Sequence, residues 1–321
     1  MLVKTAIIFA IWVAMMMTTA AADYPVRPVR VIVSSAPGGG PDVTMRIIAA
    51  ELSQQMAQQF VVDNRPGASG VIGTEMIARA SADGYTIGEG RTATLAINRL
   101  LLPKLPYDPD GDIQPVAQYS AVPHLLAVTL SLPVKSVEEL IAYARKNPGK
   151  LLFVSTGNAS PLFLAGELFK RMTGTSMTHV PYKGTQQGIT DMIGGQVHLI
   201  FDNVSSIGPH IRASRVRGLA VTTAKRSSSY PELPTVAESG VPNFEVAGWG
   251  GIVAPSRVSK IIIYRLNAEV NKALAKSIVK ERFSALGTIP IGGTPEAFAA
   301  LIKIELIKWT AVIKDANIKA D

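Results

Sequence analysis

Short β-branched runs alternate with segments of helical period along most of the chain. That alternation limits the fold to an α/β class with mainly parallel sheets. Residues 29–34 (VRVIVS) read as a buried strand. Gly38-Gly39-Gly40 then makes a turn, Pro41 suits a first helical position, and Val43, Ile47, Ile48 and Leu52 recur at helical spacing. Residues 60–62 and 85–87 read as strands, with a Gly-rich loop over 64–73 and a short helix over 73–82 between them. Residues 124–130, 152–155, 197–201 and 218–222 read as further strands. Ser136-x-x-Glu139 is a capping box whose helix stops at Pro148-Gly149, and Ser160-Pro161 caps and starts another. Residues 258–276 and 295–313 form long amphipathic helices. At 321 residues there is room for about two domains. The expected division is one lobe from 23–123 and 223–321, with a second lobe, 124–222, inserted between strands that act as a hinge. Two such sheets leave a cleft between lobes.

The N-terminus carries an address. Lys4 precedes an apolar run of eleven residues, 7–17, and Ala20-Ala21-Ala22 offers a cleavage site before Asp23. This is the three-part pattern of a secretory signal peptide. The run is short of the about 20 residues that span a bilayer. Residues 1–22 are therefore expected to be removed on export to the periplasm. The chain has no cysteine, which excludes a disulfide scaffold, a thiolate metal site, a Cys nucleophile and a lipid anchor at the cleavage point. Hydrophobic residues at 47% and charged residues at 17% exclude intrinsic disorder. The net charge of +8 is scattered, and its densest group, Arg212, Arg215, Arg217, Lys225 and Arg226, brackets a strand-like stretch. No nucleic-acid signature accompanies it, so nucleic acid is not an expected partner.

Two loops carry the chemistry that can be read from residues alone. In Ser34-Ser35-Ala36-Pro37-Gly38-Gly39-Gly40 a strand runs into a helix start, where glycines admit a ligand and free N–H groups favour an anion. The alternative is a tight turn with no ligand. Neither a G-x-G-x-x-G nor a P-loop lysine is present, so no nucleotide cofactor is indicated. Ser155-Thr156-Gly157-Asn158-Ala159-Ser160-Pro161 repeats the arrangement. One such mouth per lobe suits an organic acid held by neutral donors. No G-x-S-x-G elbow occurs, and His124, His179, His198 and His210 lack metal-binding spacing. Asp202, at a strand end, is open to three roles: general base, turn cap or ligand-orienting group.

The ordered motifs place the chain. They are Ala36-Pro37-Gly38-Gly39-Gly40-x-Asp42, Asn64-Arg65-Pro66-Gly67-Ala68-x-Gly70-x-Ile72-Gly73, Asp83-Gly84-Tyr85-Thr86, Ile97-Asn98 and Leu105-Pro106-Tyr107-Asp108-Pro109. The second half adds Val180-Pro181-Tyr182-Lys183-Gly184, Gly194-Gly195-Gln196-Val197, Phe201-Asp202-Asn203 and Pro234-Thr235-Val236-Ala237-Glu238-x-Gly240. In this order they resemble the tripartite tricarboxylate transporter receptors, the Bug family of periplasmic solute-binding proteins, over essentially the whole exported chain. The resemblance implies a two-lobed periplasmic-binding fold of type 2 that closes on its ligand. It implies capture of a small carboxylated solute and delivery to a large and a small membrane subunit, with no metal or cofactor. Binding proteins of this class are usually monomers.

Carried over by position, the ligand-holding groups are Ser35, Ala36, Gly38 and Gly39 in the first lobe and Thr156, Gly157, Asn158 and Ser160 in the second. Asp202, Thr92 and Thr94 match cleft-lining positions. Several residues depart from the pattern. Ser34-Ser35 stand where Pro-Phe is common, Leu95 and Phe163 where His is frequent, and Arg91 where a small polar residue is usual. Arg91 either pairs a ligand carboxylate bidentately or is a solvated surface arginine. The leading reading is a non-catalytic receptor for an organic acid. Its rivals are a receptor of the same fold serving a membrane sensor, and an exported enzyme using Asp202 and His179 as acid and base.

Overall fold

The computed structural model describes residues 24–157, 160–227 and 229–318, so the signal-peptide segment and Asn158 lie outside the described residues. The first half runs β1 (Val29–Val33), α1 (Gly40–Gln55), β2 (Phe60–Asn64), α2 (Val71–Ala78) and β3 (Thr86–Arg91). A π-type turn, Ala93–Ile97, and a short helix α3 (Asn98–Leu101) lead to β4 (Ile113–Val128). Helix α4 (Val137–Lys146) follows, and then the first pattern recurs: β5 (Leu152–Ser155), α5 (Pro161–Thr173), β6 (Thr178–Pro181), α6 (Thr185–Ile193) and β7 (Leu199–Asn203). Next come α7 (Val204–Arg212), β8 (Arg217–Val221), β9 (Ala247–Pro255), α8 (Lys260–Ala275), α9 (Ser277–Ala285), β10 (Ile289–Pro290) and α10 (Pro295–Asp315).

The strand order is β2-β1-β3-β9-β4-β7-β5-β6. β1 is parallel to β2 and β3, and β5 is parallel to β6 and β7, as helical crossovers require. Every pairing with β4 is antiparallel, as is β3 with β9. The sheets are therefore mixed rather than mainly parallel. The cause is β4, which pairs β9 in one sheet and β7 and β8 in the other, while the returning chain runs back along it. The sequence reading found only the second half of this strand.

Helices cover both faces. Val29, Val31 and Val33 of β1 pack with Met45, Ile48 and Leu52 of α1, while Ile32 points the other way, toward Ile77 of α2. This alternation is the period of two of a strand buried on both sides. The capping residues behave as the sequence indicates. Ser136 Oγ accepts from Glu139 N at 3.2 Å, and Ser160 Oγ accepts from Phe163 N at 3.2 Å. The far end of α10 reaches the middle block, where Trp309, Val312 and Ile313 share a core with α5, and Asp315 pairs Arg171 at 2.6 Å. Among the described residues no helix is long and apolar enough to cross a membrane.

β9 was not legible as a strand because its sequence, AGWGGIVAP, is glycine-rich. The structure gives the reason. A Cβ on Gly251 would lie 2.2 Å from the Phe298 ring of α10, and one on Gly250 2.6 Å from the Tyr119 hydroxyl. These glycines let a helix and a tyrosine press onto the backbone. Gly248, in contrast, has its nearest neighbour at 3.5 Å. Gly251→Ala is expected to cost about 1–3 kcal/mol of stability through overpacking, and Gly248→Ala close to nothing. Urea denaturation of both variants checks this, and equal midpoints would contradict the packing.

Candidate functional site

Each half contains a topological switch point, the crevice where open α/β sheets bind ligands at their strands' C-terminal ends. In the first half, β1 lies between β2 and β3, and α1 and α2 cover opposite faces. The crevice therefore opens between the ends of β1 and β3, at Ser34–Gly40 (residues 34–40) and Arg91. In the second half, β5 lies between β6 and β7. Its crevice opens at Ser155, Thr156, Gly157 and Ser160 and at Asp202. Arg91 pairs Gly250, Gly250 pairs Ser120, and His124 pairs Asn203. Both crevices thus open toward the middle of β4, within four residues of each other along it, or about 13 Å.

The first loop is fixed from within. The N–H of Gly38, at φ +80°, donates to Asp42 Oδ2 at 2.8 Å, and Gly39 N–H donates to Ala36 O at 3.2 Å. Asn64 Nδ2 ties Ser35 O at 3.1 Å to Asp42 Oδ1 at 2.9 Å. The N–H groups of Gly38 and Gly39, expected to face the ligand, are thus engaged in shaping the loop. Ala36 and Gly38 are exposed, and Ser35 Oγ is buried without a hydrogen-bond partner.

Arg91 lies at the floor of this crevice. Its Nη2 donates to Ser34 O at 3.1 Å, and its Nε is buried without a partner. A Cβ on Gly70 would lie 2.8 Å from Nη2, so the Gly-rich Asn64–Gly73 motif (residues 64–73) supplies the close approach that seats the guanidinium. Thr94 Oγ1 accepts from Arg91 N at 3.2 Å, and Thr92 Oγ1 accepts from Trp249 N at 3.2 Å. Both threonines are buried, at 0% and 5% exposure, so they clasp the turn behind Arg91 rather than line the cleft. Leu95 is buried against Gly90, and the Phe163 ring packs beside His179, 4.5 Å between centroids and tilted by 49°. These two departures from the family pattern fill the interior.

In the second loop Ser155 organises the backbone. Its Oγ lies 2.5 Å from His179 Nε2 and accepts from Gly157 N at 3.2 Å. Ser160 N–H donates to Gly157 O at 3.1 Å. Thr156 is exposed at the rim, and Gly157 takes φ +116°. Asp202 is 1% exposed, and its Oδ1 accepts from Asn203 N at 2.8 Å. Its Oδ2 makes no hydrogen bond of good geometry. Burial pushes the Asp202 carboxyl up, opposed by Ser206, the Asn203 amide and Thr185. His179, on β6, and Asp202, on β7, are separated by β5, about 10 Å of sheet. The structure does not assemble them as an acid–base pair.

Sequence reasoning missed Asp42, Asn64, Gly70 and Ser155 as site-shaping residues. The first three stand inside the motif words, which was the only signal. A concavity of ≈ 300 Å³ lies on the β10 side of β4, lined by Pro123, Val204, Lys280, Gly287 and Thr288 among others. None of the predicted site residues lines it. Its single charge, Lys280, is a lone ammonium, whereas the crevice holds the Arg91 guanidinium seated by Ser34 O.

Comparison with known proteins decides the family. The model of the tripartite tricarboxylate transporter family receptor matches residues 44–318. The chain belongs to this family. The receptor is 36% identical to the protein BugT of Bordetella pertussis over 297 residues, 92% of this chain and 91% of BugT. It is 41% identical to the R. palustris protein Rpa4515, solved with adipate, with a TM-score of 0.77 over 93% of this chain and all of that one. MatC (Rpa3494) of Rhodopseudomonas palustris, solved with bound malate, gives 31% identity and a TM-score of 0.72 over 90% of this chain and all of that one. The receptor thus shares the two-lobed fold of periplasmic solute-binding proteins.

Burial would raise the Asp42 carboxyl, but hydrogen bonds from Arg46, Gly38 N–H and Asn64 outweigh it and hold the group below the ordinary range. A depressed folded pKa contributes stability above the unfolded value of about 3.9. That contribution is lost as pH falls through the folded value. Asp42→Ala is therefore expected to cost about 1–3 kcal/mol at neutral pH. Its acid denaturation should be less steep than that of the wild type. Thermal unfolding against pH checks both, and parallel curves would contradict the role of Asp42.

Proposed function

We propose that this receptor captures a small carboxylated solute between its lobes in the periplasm. It then delivers the solute to the large and small membrane subunits of a tripartite tricarboxylate-type transporter. The lobes are residues 23–123 with 223–321, and residues 124–222, with the end of α10 laid across both. The observation that carries the reading is Arg91. A guanidinium held at a switch point by Ser34 O, with its Nε unengaged, is a built receptor for a carboxylate. The loop at 35–39 leads into α1, and Ser160 caps α5 in the other lobe; both helix N-termini favour negative charge. Asp202, buried at the end of β7 with Oδ2 unpaired, is the polar group of the other lobe that matches a cleft-lining position of the family. The adipate and malate bound by relatives at 41% and 31% identity support an organic acid. The role read here is binding, as in the family of solute-binding receptors that the chain belongs to.

Titration calorimetry with a panel of mono- and dicarboxylates that includes adipate and malate tests this. At least one acid should bind one per chain, and Arg91→Gln should weaken it about 10–100-fold, the loss of one charge-assisted contact. Failure of every acid would sink the reading. Unchanged affinity in Arg91→Gln would remove Arg91 from the site.

A further inference from the structure

Beneath the first crevice β3 carries two charges on one face. The alternation Gly88-Glu89-Gly90-Arg91 sends Glu89 and Arg91 to the α1 side, about 6.6 Å apart along the strand. The glycines face α2 and the π-type turn, where a Cβ would lie 2.3 Å from Ile77 or 2.6 Å from Leu95. Glu89 is 1% exposed. Its Oε1 accepts from the Tyr119 hydroxyl at 3.3 Å and its Oε2 from Ser34 Oγ at 3.4 Å. Ser34 is also the residue whose carbonyl holds the Arg91 guanidinium. One serine therefore links a buried carboxylate to the cation proposed to meet the solute.

These two long hydrogen bonds and one from the Ser34 backbone N–H oppose the burial of the carboxylate but do not outweigh it. The one charge that acts on Glu89 is Arg91, on its own strand. Burial pushes the Tyr119 hydroxyl up, and Glu89 pushes it further, so β4 contributes a neutral donor. The groups facing the pair from the other elements carry no charge: Ser34 after β1, Ile252 opposite Glu89 on β9, and Thr44 of α1, which reaches Tyr119. We propose that Glu89 is the internal counter-ion of Arg91, so that binding of a solute carboxylate at Arg91 is accompanied by uptake of a proton at Glu89. The second clause rests on the carboxylate reading above. Burial pushes the Glu89 carboxyl up, and Arg91 is the charge that opposes it. A carboxylate on the guanidinium cancels that opposition, the carboxyl rises further, and a proton from solvent adds to a carboxylate oxygen. Affinity consequently rises as pH falls. Glu89 touches no solute; it is a positioning residue that acts through Ser34 and Arg91.

The first test needs no solute. Tm is measured against pH for the wild type, Glu89→Gln, Arg91→Gln and the double variant. A folded pKa raised above the unfolded one withdraws stability as pH rises between the two values. Glu89→Gln should therefore gain Tm over the wild type as pH rises above the ordinary carboxylate range, and the gain should be larger in the Arg91→Gln background. A gain that does not change with pH, or that Arg91→Gln leaves the same, overturns the counter-ion. The second test is calorimetry with adipate at neutral pH in two buffers of different ionisation enthalpy. The wild type should take up protons on binding adipate. Glu89→Gln should take up none and bind severalfold tighter. Adipate bound without uptake, or with equal uptake by both proteins, overturns the coupling. If adipate and the other acids all fail to bind, the receptor reading falls on its own, and the Tm series still decides the counter-ion.

Discussion

One hydrogen-bonded strand holds the whole architecture in place. β4 is paired on both edges in both sheets, with β9 and β10 along its first part and with β7 and β8 along its second. Each half could be an independent doubly wound sheet. Sharing β4 fixes how the two are set, so that the C-terminal ends of β1 and β3 and those of β5 and β7 open toward the same stretch of strand. A bend between the halves falls most easily there. The register with β9 shifts between Gln118 and Ser120, and Pro123 has no N–H to lose from a ladder.

The two halves repeat one plan, strand–loop–helix–strand–helix–strand, and this repeat gives the site its asymmetry. Arg91 ends β3, and Asp202 stands one residue before the end of β7, so equivalent switch points carry opposite charges. The cation is seated by Ser34 and by the missing side chain of Gly70. The carboxylate is buried with one oxygen unsatisfied. In the proposed function, the anionic end of the solute pairs with the cation. The loops between these residues contribute shape more than donors, because Gly38, Gly39 and Gly157 already direct their N–H groups into the loops themselves.

Much of the fold was legible because hydrophobic period and capping are local. The strand Leu152–Ser155 and the caps Ser136 and Ser160 depend only on neighbouring residues. What escaped depends on distant partners. β9 reads as a glycine-rich loop until Phe298 and Tyr119 arrive, from 47 and 131 residues away in sequence, to need the space. The second half of β3 reads as a break until α2 packs on Gly88. In the site, the passage from strand through polar loop to capped helix pointed to both loops, but spacing could not tell a residue that faces the cleft from one that clasps the turn behind it. Thr92 and Thr94 belong to the second kind. Arg91, singled out as a departure from the family pattern, is the residue proposed to belong with the first. Glu89 gave no signal, since a single Glu between glycines reads as surface.

The central claim is that a carboxylated solute occupies the space between the two switch points. Native mass spectrometry of gently purified protein, followed by mild denaturation to identify what is released, measures this most directly. One organic acid released per chain is the expected result. A released nucleotide or metal ion would contradict the account.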